Sequence, residues 1–213
     1  MKRPRRTPPG LVDLAETDSA DVDLDDGLDG LRVSGLDLSG RTLHGVTLQE
    51  SELLGARADG TRLERCRLLD LRLDTLDAPE LVLAEGVWRD SEVLGSRLGA
   101  LSAHGSTLSS VRVAHTKVDY LNLRGSTVSD LVVEDCTVGE LDLADAVLER
   151  ATFERCTVET LTVRGARLKD VDLRGARLGE VSPPSGLRGA TLGTAQLLDL
   201  APAMAAEAGI LVD

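Results

Sequence analysis

Large aromatic residues are almost missing from this chain: Trp88, Tyr120 and Phe153 are its only Trp, Tyr and Phe, 1% of 213 residues. A compact globule fills its centre with a few large rings. Here a core has to be built from Leu, Val and Ala, which suits many narrow layers of similar shape. Cysteine is scarce too, since Cys66, Cys136 and Cys156 are too few and too plainly spaced for a disulfide framework. No apolar run approaches the roughly 18 residues of a membrane-spanning helix. The opening MKRPRRTPPG meets prolines and then the acidic LVDLAETDSADVDLDDGLDG, with no apolar core of a signal peptide. The expectation is a cytoplasmic protein that meets no membrane. Positive charge is also short, with 24 Lys and Arg against 36 Asp and Glu and a formal charge of −12. That balance disfavours direct nucleic-acid binding and favours cationic partners.

What is present is a repeat. Every fifth residue from Val33 to Leu178 is apolar, without one exception, in a chain that is 42% hydrophobic. Two residues earlier lies a second selected position, filled mostly by Leu, Val, Ala, Ser, Thr or Cys. The flanking residues are charged, polar or Gly. Two inward residues in every five fit neither the helical period nor a long alternating strand. The chain must turn a corner every five residues, and Gly, which tolerates positive φ, recurs where the corner falls.

Stretches such as ARADG-TRLER-CRLLD, ARLKD-VDLRG-ARLGE and ATFER-CTVET resemble the pentapeptide-repeat family, whose consensus is A-(D/N)-L-x-x. The resemblance covers about 150 residues without a frame slip. It implies an all-β fold, a right-handed quadrilateral β-helix with four pentapeptides per coil, over residues 31–182. At ~4.8 Å between stacked strands, such a rod is roughly 35 Å long.

Features of this chain support four sides independently. From Leu101 onward the earlier inward position alternates large and small: Leu101, Ser106, Val111, Thr116, Leu121, Ser126. A period of ten requires an even number of sides, and two cannot enclose a core. Columns at spacing 20 alternate in charge as well, as in Arg32, Glu52, Arg72, Glu92, Arg112 and in Asp37, Arg57, Asp77, Arg97. Neighbours one coil apart then pair as opposite charges. Trp88 is expected in the lumen across from Ala78, with Gly86 just before it, and Phe153 follows the small Ala151. Arg41 alone puts a charge in an inward slot, in the first coil, where an open end lets it reach water.

The repeat has ends. Residues 1–30 read as an N-terminal tail and cap, disordered over 1–10 and a partial coil or cap over 11–30. Residues 183–213 form a broken last coil and helix: SPPSG interrupts the corners and GLRGATLGT re-enters one residue out of frame. In the tail, Leu197, Leu198, Ala201, Met204, Ala205 and Ala208 share one helical face, with Ile210 beyond Gly209, a natural stop. Pro202 should kink the helix or start a second one. In the actinobacterial members that this chain resembles, related to the mycobacterial fluoroquinolone-resistance protein that interacts with gyrase, such a segment holds a homodimer. The resemblance therefore makes these residues the expected dimer interface.

No catalytic, cofactor-binding or metal-binding set stands out, and the expected protein is not an enzyme. His44, His104 and His115 fall on exterior positions of different coils without ligand spacing. The cysteines sit in inward slots and read as buried, inert thiols, although Cys136 and Cys156 are one coil apart. The informative exterior features are two acidic columns at spacing 20. One reads Glu50, Asp70, Asp90, Ser110, Asp130, Arg150, Asp170, and the other holds Glu80, Glu140 and Glu180. Stacked carboxylates repel one another, so a column of them asks for a partner or counterions. The resemblance implies an acidic rod that mimics duplex DNA, binds DNA gyrase or topoisomerase IV, and confers fluoroquinolone protection. Two departures weigh on the other side: the central position is Leu or Val rather than Phe-rich, and no long loop interrupts the coils. A pentapeptide-repeat scaffold or protein-binding module with another partner is the alternative.

Overall fold

Along most of the chain each residue lies in parallel register beside the residue 20 positions on. Leu98 neighbours Val118, Val118 neighbours Val138, and Val138 neighbours Val158. The computed structural model describes residues 1–211 and gives a parallel β-solenoid of about nine turns with one short C-terminal helix. The two final positions of the C-terminal segment lie outside the described residues.

The five-residue corner is a backbone fact. Left-handed φ recurs every fifth residue, at Gly35, Gly40, Gly45, Glu50, Gly55 and Gly60 and onward to Asp170. A non-glycine residue pays roughly 1–2 kcal/mol for that conformation, Asp and Asn least. Gly, Asp and Glu therefore fill many of these positions. One corner is made differently: Glu80, Ala100, Tyr120, Glu140 and Thr160 lie within strands and take no left-handed φ. Four sides of five residues close each 20-residue coil, as expected.

The every-fifth series is the core. All of its members from Val33 to Leu173 are buried, and Leu178, beneath the last coil, is half-buried. Each turn thus stacks an aliphatic layer on the one below, and the burial of about 25 cal/mol per Å² of apolar surface is repeated layer after layer. Trp88 is 4% exposed, stacked between Leu68 and Leu108, and Phe153 is fully enclosed beside Ala151. Gly86 has a reason beyond making room for the ring. A Cβ there would meet the carbonyl oxygen of Cys66 at 2.6 Å. Arg41 is exposed, as expected of an end coil.

The small residues in the earlier inward slot serve the backbone. The hydroxyls of Ser106 and Ser126 donate to the carbonyls of Leu83 and Ala103, each at 2.7 Å. Ser51, Ser91 and Ser96 accept amides from the coil before, at Leu31, Leu71 and Leu76. Alternation of size is therefore also alternation of chemistry: large slots fill the lumen, and small ones close hydrogen bonds that a corner leaves open.

Both ends depart from register. The strand Ala15–Thr17 pairs with Leu31–Ser34, Ala15 beside Leu31, so the first coil is short. Leu24 and Leu28 are buried, and the core thus begins before residue 31, in the stretch read as a partial coil. At the other end Val171 pairs with Ala190, one residue short of the full step, as the out-of-frame GLRGATLGT indicated. The helix Thr194–Glu207 follows and spans Pro202 as one element; the proline neither splits it nor starts a second helix. Gly209 ends it with φ +72, as expected.

Candidate interaction surface

The corner column of Glu50, Asp70, Asp90, Ser110, Asp130, Arg150 and Asp170 is built by left-handed residues, each of which turns its side chain outward at one coil spacing. Position in the stack is fixed by the ladder beneath, since Leu48 pairs with Leu68 and Val128 with Leu148. Arg150 neutralises Asp130 with two hydrogen bonds, 2.7 and 2.9 Å long, and this pairing holds the Asp130 carboxyl below its usual range. Asp70 and Asp170 have a different partner, which also reaches Asp130. Residues 1–10, expected to be disordered, lie extended along this column. The amide of Gly10 donates to Asp70 at 3.1 Å, that of Arg5 to Asp130 at 2.7 Å, and that of Lys2 to Asp170 at 2.7 Å. Thr7 donates its amide to the Ser110 hydroxyl at 2.7 Å, and that hydroxyl donates back to the Thr7 carbonyl at 3.0 Å. The bond from Lys2 is the leading reason the Asp170 carboxyl titrates below its ordinary range.

Beside this corner runs the alternating ladder. Arg32 reaches Glu52 at 2.5 Å, Arg72 bridges Glu52 and Glu92 at 3.3 Å each, and Arg112 lies 3.7 Å from Glu92. Glu52 and Glu92 are buried and would be costly without these partners. The Arg6 guanidinium also bonds Glu92, so the N-terminal segment grips both the corner and the ladder. Sequence reasoning found the column and the ladder but not their occupant. The signal was available as four basic residues and three prolines in the first ten, next to an unneutralised acidic column.

The second column is less acidic than its carboxylates suggested. Ala100 and Tyr120 separate Glu80 from Glu140 in register, Thr160 separates Glu140 from Glu180, and Glu80 lies 3.4 Å from Arg62. On the helix, the sequence-derived stripe divides into two faces. Leu200 is 5% exposed and Met204 is half-buried against the last coils, so Met204 belongs to the docked face. Gln196 fixes the helix by donating to the carbonyls of Leu173 and Ala176 at 2.7 and 2.6 Å. Leu197, Leu198, Ala201, Ala208 and Ile210 face outward, Leu198 at 68% exposure, and Ala205 is half-covered. Leu200 was missing from the predicted stripe because the rod's end, invisible in the sequence, selects which face docks.

His44 and His115 lie on the surface beside Glu64 and Asp135, and His104 beside Ser102. Among the described residues no His, Cys, Asp and Glu group is arranged to hold a metal ion, and no helix is long and apolar enough to cross a membrane. Cys66, Cys136 and Cys156 are free and buried, and their thiols donate to backbone carbonyls. Burial pushes the Cys66 thiol up, away from the thiolate form. Surface depressions are open grooves, such as that over Asp77, Pro79, Arg97 and Lys117.

Fold and surface together define a four-sided β-solenoid that offers flat, charged faces. Neither a scan against protein families nor a search of curated proteins finds a match. Among solved structures the chain is similar to QnrB1, a plasmid-mediated fluoroquinolone resistance protein, at 16% identity and a TM-score of 0.35, covering 94% of this chain and 99% of that one. It is also similar to HetL, a pentapeptide repeat protein involved in heterocyst differentiation regulation from the cyanobacterium Nostoc sp. strain PCC 7120. There the identity is 17% and the TM-score 0.20, covering 76% of this chain and 89% of the other.

Proposed function

We propose that this chain is a pentapeptide-repeat interaction protein, without catalytic activity, whose acidic corner presents a DNA-like row of charge to a type II topoisomerase. The observation that carries the reading is the recurrence of Glu50, Asp70, Asp90, Asp130 and Asp170 at coil spacing. A duplex also presents anions at regular steps along a rod, and like charges one strand apart cost stability unless something answers them. The repeat motif supports the family, and the family resemblance supports DNA gyrase or topoisomerase IV as the partner, with fluoroquinolone protection as the outcome. Two rods joined through the outward face of the C-terminal helix would lengthen the acidic row. The deciding measurement is gyrase supercoiling with the purified protein added, with and without a quinolone. Inhibition of supercoiling, or relief of quinolone-induced cleavage, is the expected result, and neither effect at micromolar protein discards the reading. A scaffold for another partner is the second reading. Its support is the Arg32–Glu52–Arg72–Glu92–Arg112 ladder, whose signs alternate one coil apart, so that face presents no row of one charge.

A further inference from the structure

We propose that the acidic corner is a docking groove for an extended basic peptide, and that residues 2–10 of this chain are its built-in occupant, a strap that covers the groove until a competitor displaces it. The spacing is the first argument. Between the amides of Gly10 and Lys2 the strap rises eight residues while the column advances five coils, from Asp70 to Asp170. A polyproline-type chain climbs about 3.1 Å per residue, about 25 Å in all. Five coils at ~4.8 Å come to about 24 Å. An extended chain and the corner column therefore stay in step over the whole length.

The positions of proline are the second argument. The four donating amides belong to Lys2, Arg5, Thr7 and Gly10. Pro4, Pro8 and Pro9 occupy only positions where no amide is used, and proline has none to offer. Asp90 lies between Asp70 and Ser110, opposite the Pro8–Pro9 stretch; it receives no strap amide and instead lies 3.2 Å from Arg89. Three prolines also stiffen the segment in its bound form, which lowers the entropy lost on docking. Pro9 is buried, and Arg6 adds the side-chain contact to Glu92.

Recognition is thus divided. Backbone amides read the column, Arg6 reads the ladder, and the remaining cations add attraction that falls with salt. This inference rests on the strap's own contacts, so its test can fail or succeed whether or not a topoisomerase responds. If the corner is also the partner face, the strap and the partner compete for the same carboxylates.

The experiment uses a fluorescent synthetic peptide of the sequence MKRPRRTPPG, titrated by anisotropy into the full chain and into a variant lacking residues 2–10. The strapless protein should bind it one to one, with affinity that weakens as salt rises. The full chain should bind at least about tenfold more weakly, because a tethered strap competes at high effective concentration. A peptide of the same composition, with prolines moved to the fifth and seventh positions, should lose about tenfold or more toward the strapless protein. Adding Asp70→Asn, Asp130→Asn and Asp170→Asn to the strapless chain, which removes the charges but keeps an accepting oxygen at each position, should weaken binding and flatten its salt dependence. If the deletion impairs folding, the full chain with Arg5→Pro and Thr7→Pro supplies the open groove, and the peptide should bind that variant. Equal binding of both peptides, equal binding by open and full-length chains, or no binding by the open chain overturns the proposal.

Discussion

Trp88 sits deep in an aliphatic lumen, and its indole N–H is buried with no hydrogen-bond partner. An orphaned donor of this kind costs about 1–3 kcal/mol, while the ring's volume works in the opposite direction. Trp88→Ala should therefore lower unfolding free energy by about 3–5 kcal/mol through the cavity it leaves. Trp88→Phe should cost far less, because it removes the unpaired N–H along with part of the volume. Denaturant melts of the two variants separate these effects, and equal losses would show that volume plays no part. As the only tryptophan, Trp88 should also emit in the blue-shifted range of an apolar site. Asp130 gives a second residue-scale expectation. Its carboxyl titrates below the ordinary range because Arg150 donates to both oxygens. A depressed folded pKa contributes stability that is present above the unfolded value, near ~3.9, and is lost as pH falls through the folded value. Melting temperature should therefore drop on acidification below about pH 4, and Asp130→Asn should flatten that drop. An unchanged acid limb in the variant would remove the pair from the acid response.

At the scale of the element, the helix Thr194–Glu207 has two apolar faces with different tasks. Leu200 and Met204 dock on the last coils, while Leu197 and Leu198 point outward beside Ala201. Exposed leucines on adjacent positions are an aggregation liability unless a second surface covers them. A second copy of the chain is the expected cover, and Leu198→Asp with Ala201→Asp should give a folded monomer by sedimentation. Leu200→Asp should instead loosen the helix from the rod and lower thermal stability. A wild-type chain that sediments as a monomer at micromolar concentration would remove the dimer. The strap is the other element with a divided allegiance. Its amides, rather than its charges alone, meet the column, so replacing cations in it should weaken docking less than placing prolines at positions 5 and 7.

On the scale of the whole molecule, charge is distributed in blocks. Residues 1–10 carry four Lys and Arg, and residues 11–30 carry eight Asp and Glu with no base. Residues 11–30 thus form a block of unrelieved negative charge, eight of the 36 acidic residues, while the corner is answered partly from within. Replacing Asp70, Asp90, Asp130 and Asp170 by Asn should leave the solenoid folded, because corners tolerate Asn in the left-handed conformation. It should also weaken binding to a basic partner and flatten the salt dependence of that binding. Supercoiling inhibition compared across a salt series checks this, and equal inhibition by both proteins removes the column from the partner face. Removing the strap should act in the opposite sense, and strengthen inhibition.

The repeating coil was legible because its physics is local. An apolar residue every fifth position and a left-handed corner between are set by neighbours in sequence, so Val33 to Leu173 could be assigned to the lumen without coordinates of any kind. Columns such as Arg32–Glu52–Arg72 followed by arithmetic once the coil length was known. The one-residue slip before Ala190 was legible for the same reason. What could not be read is where segments outside the repeat come to rest. The early start of the core at Leu24, the choice of Leu200 over Leu197 as the docking leucine, and the continuous helix through Pro202 all depend on surfaces that exist only after coils stack. The strap is the clearest case: Lys2 and Asp170 are 168 positions apart, and nothing in either sequence neighbourhood names the other. Periodicity decides a solenoid because each layer repeats the last, whereas a single non-repeating segment is placed by the completed rod's charge and spacing.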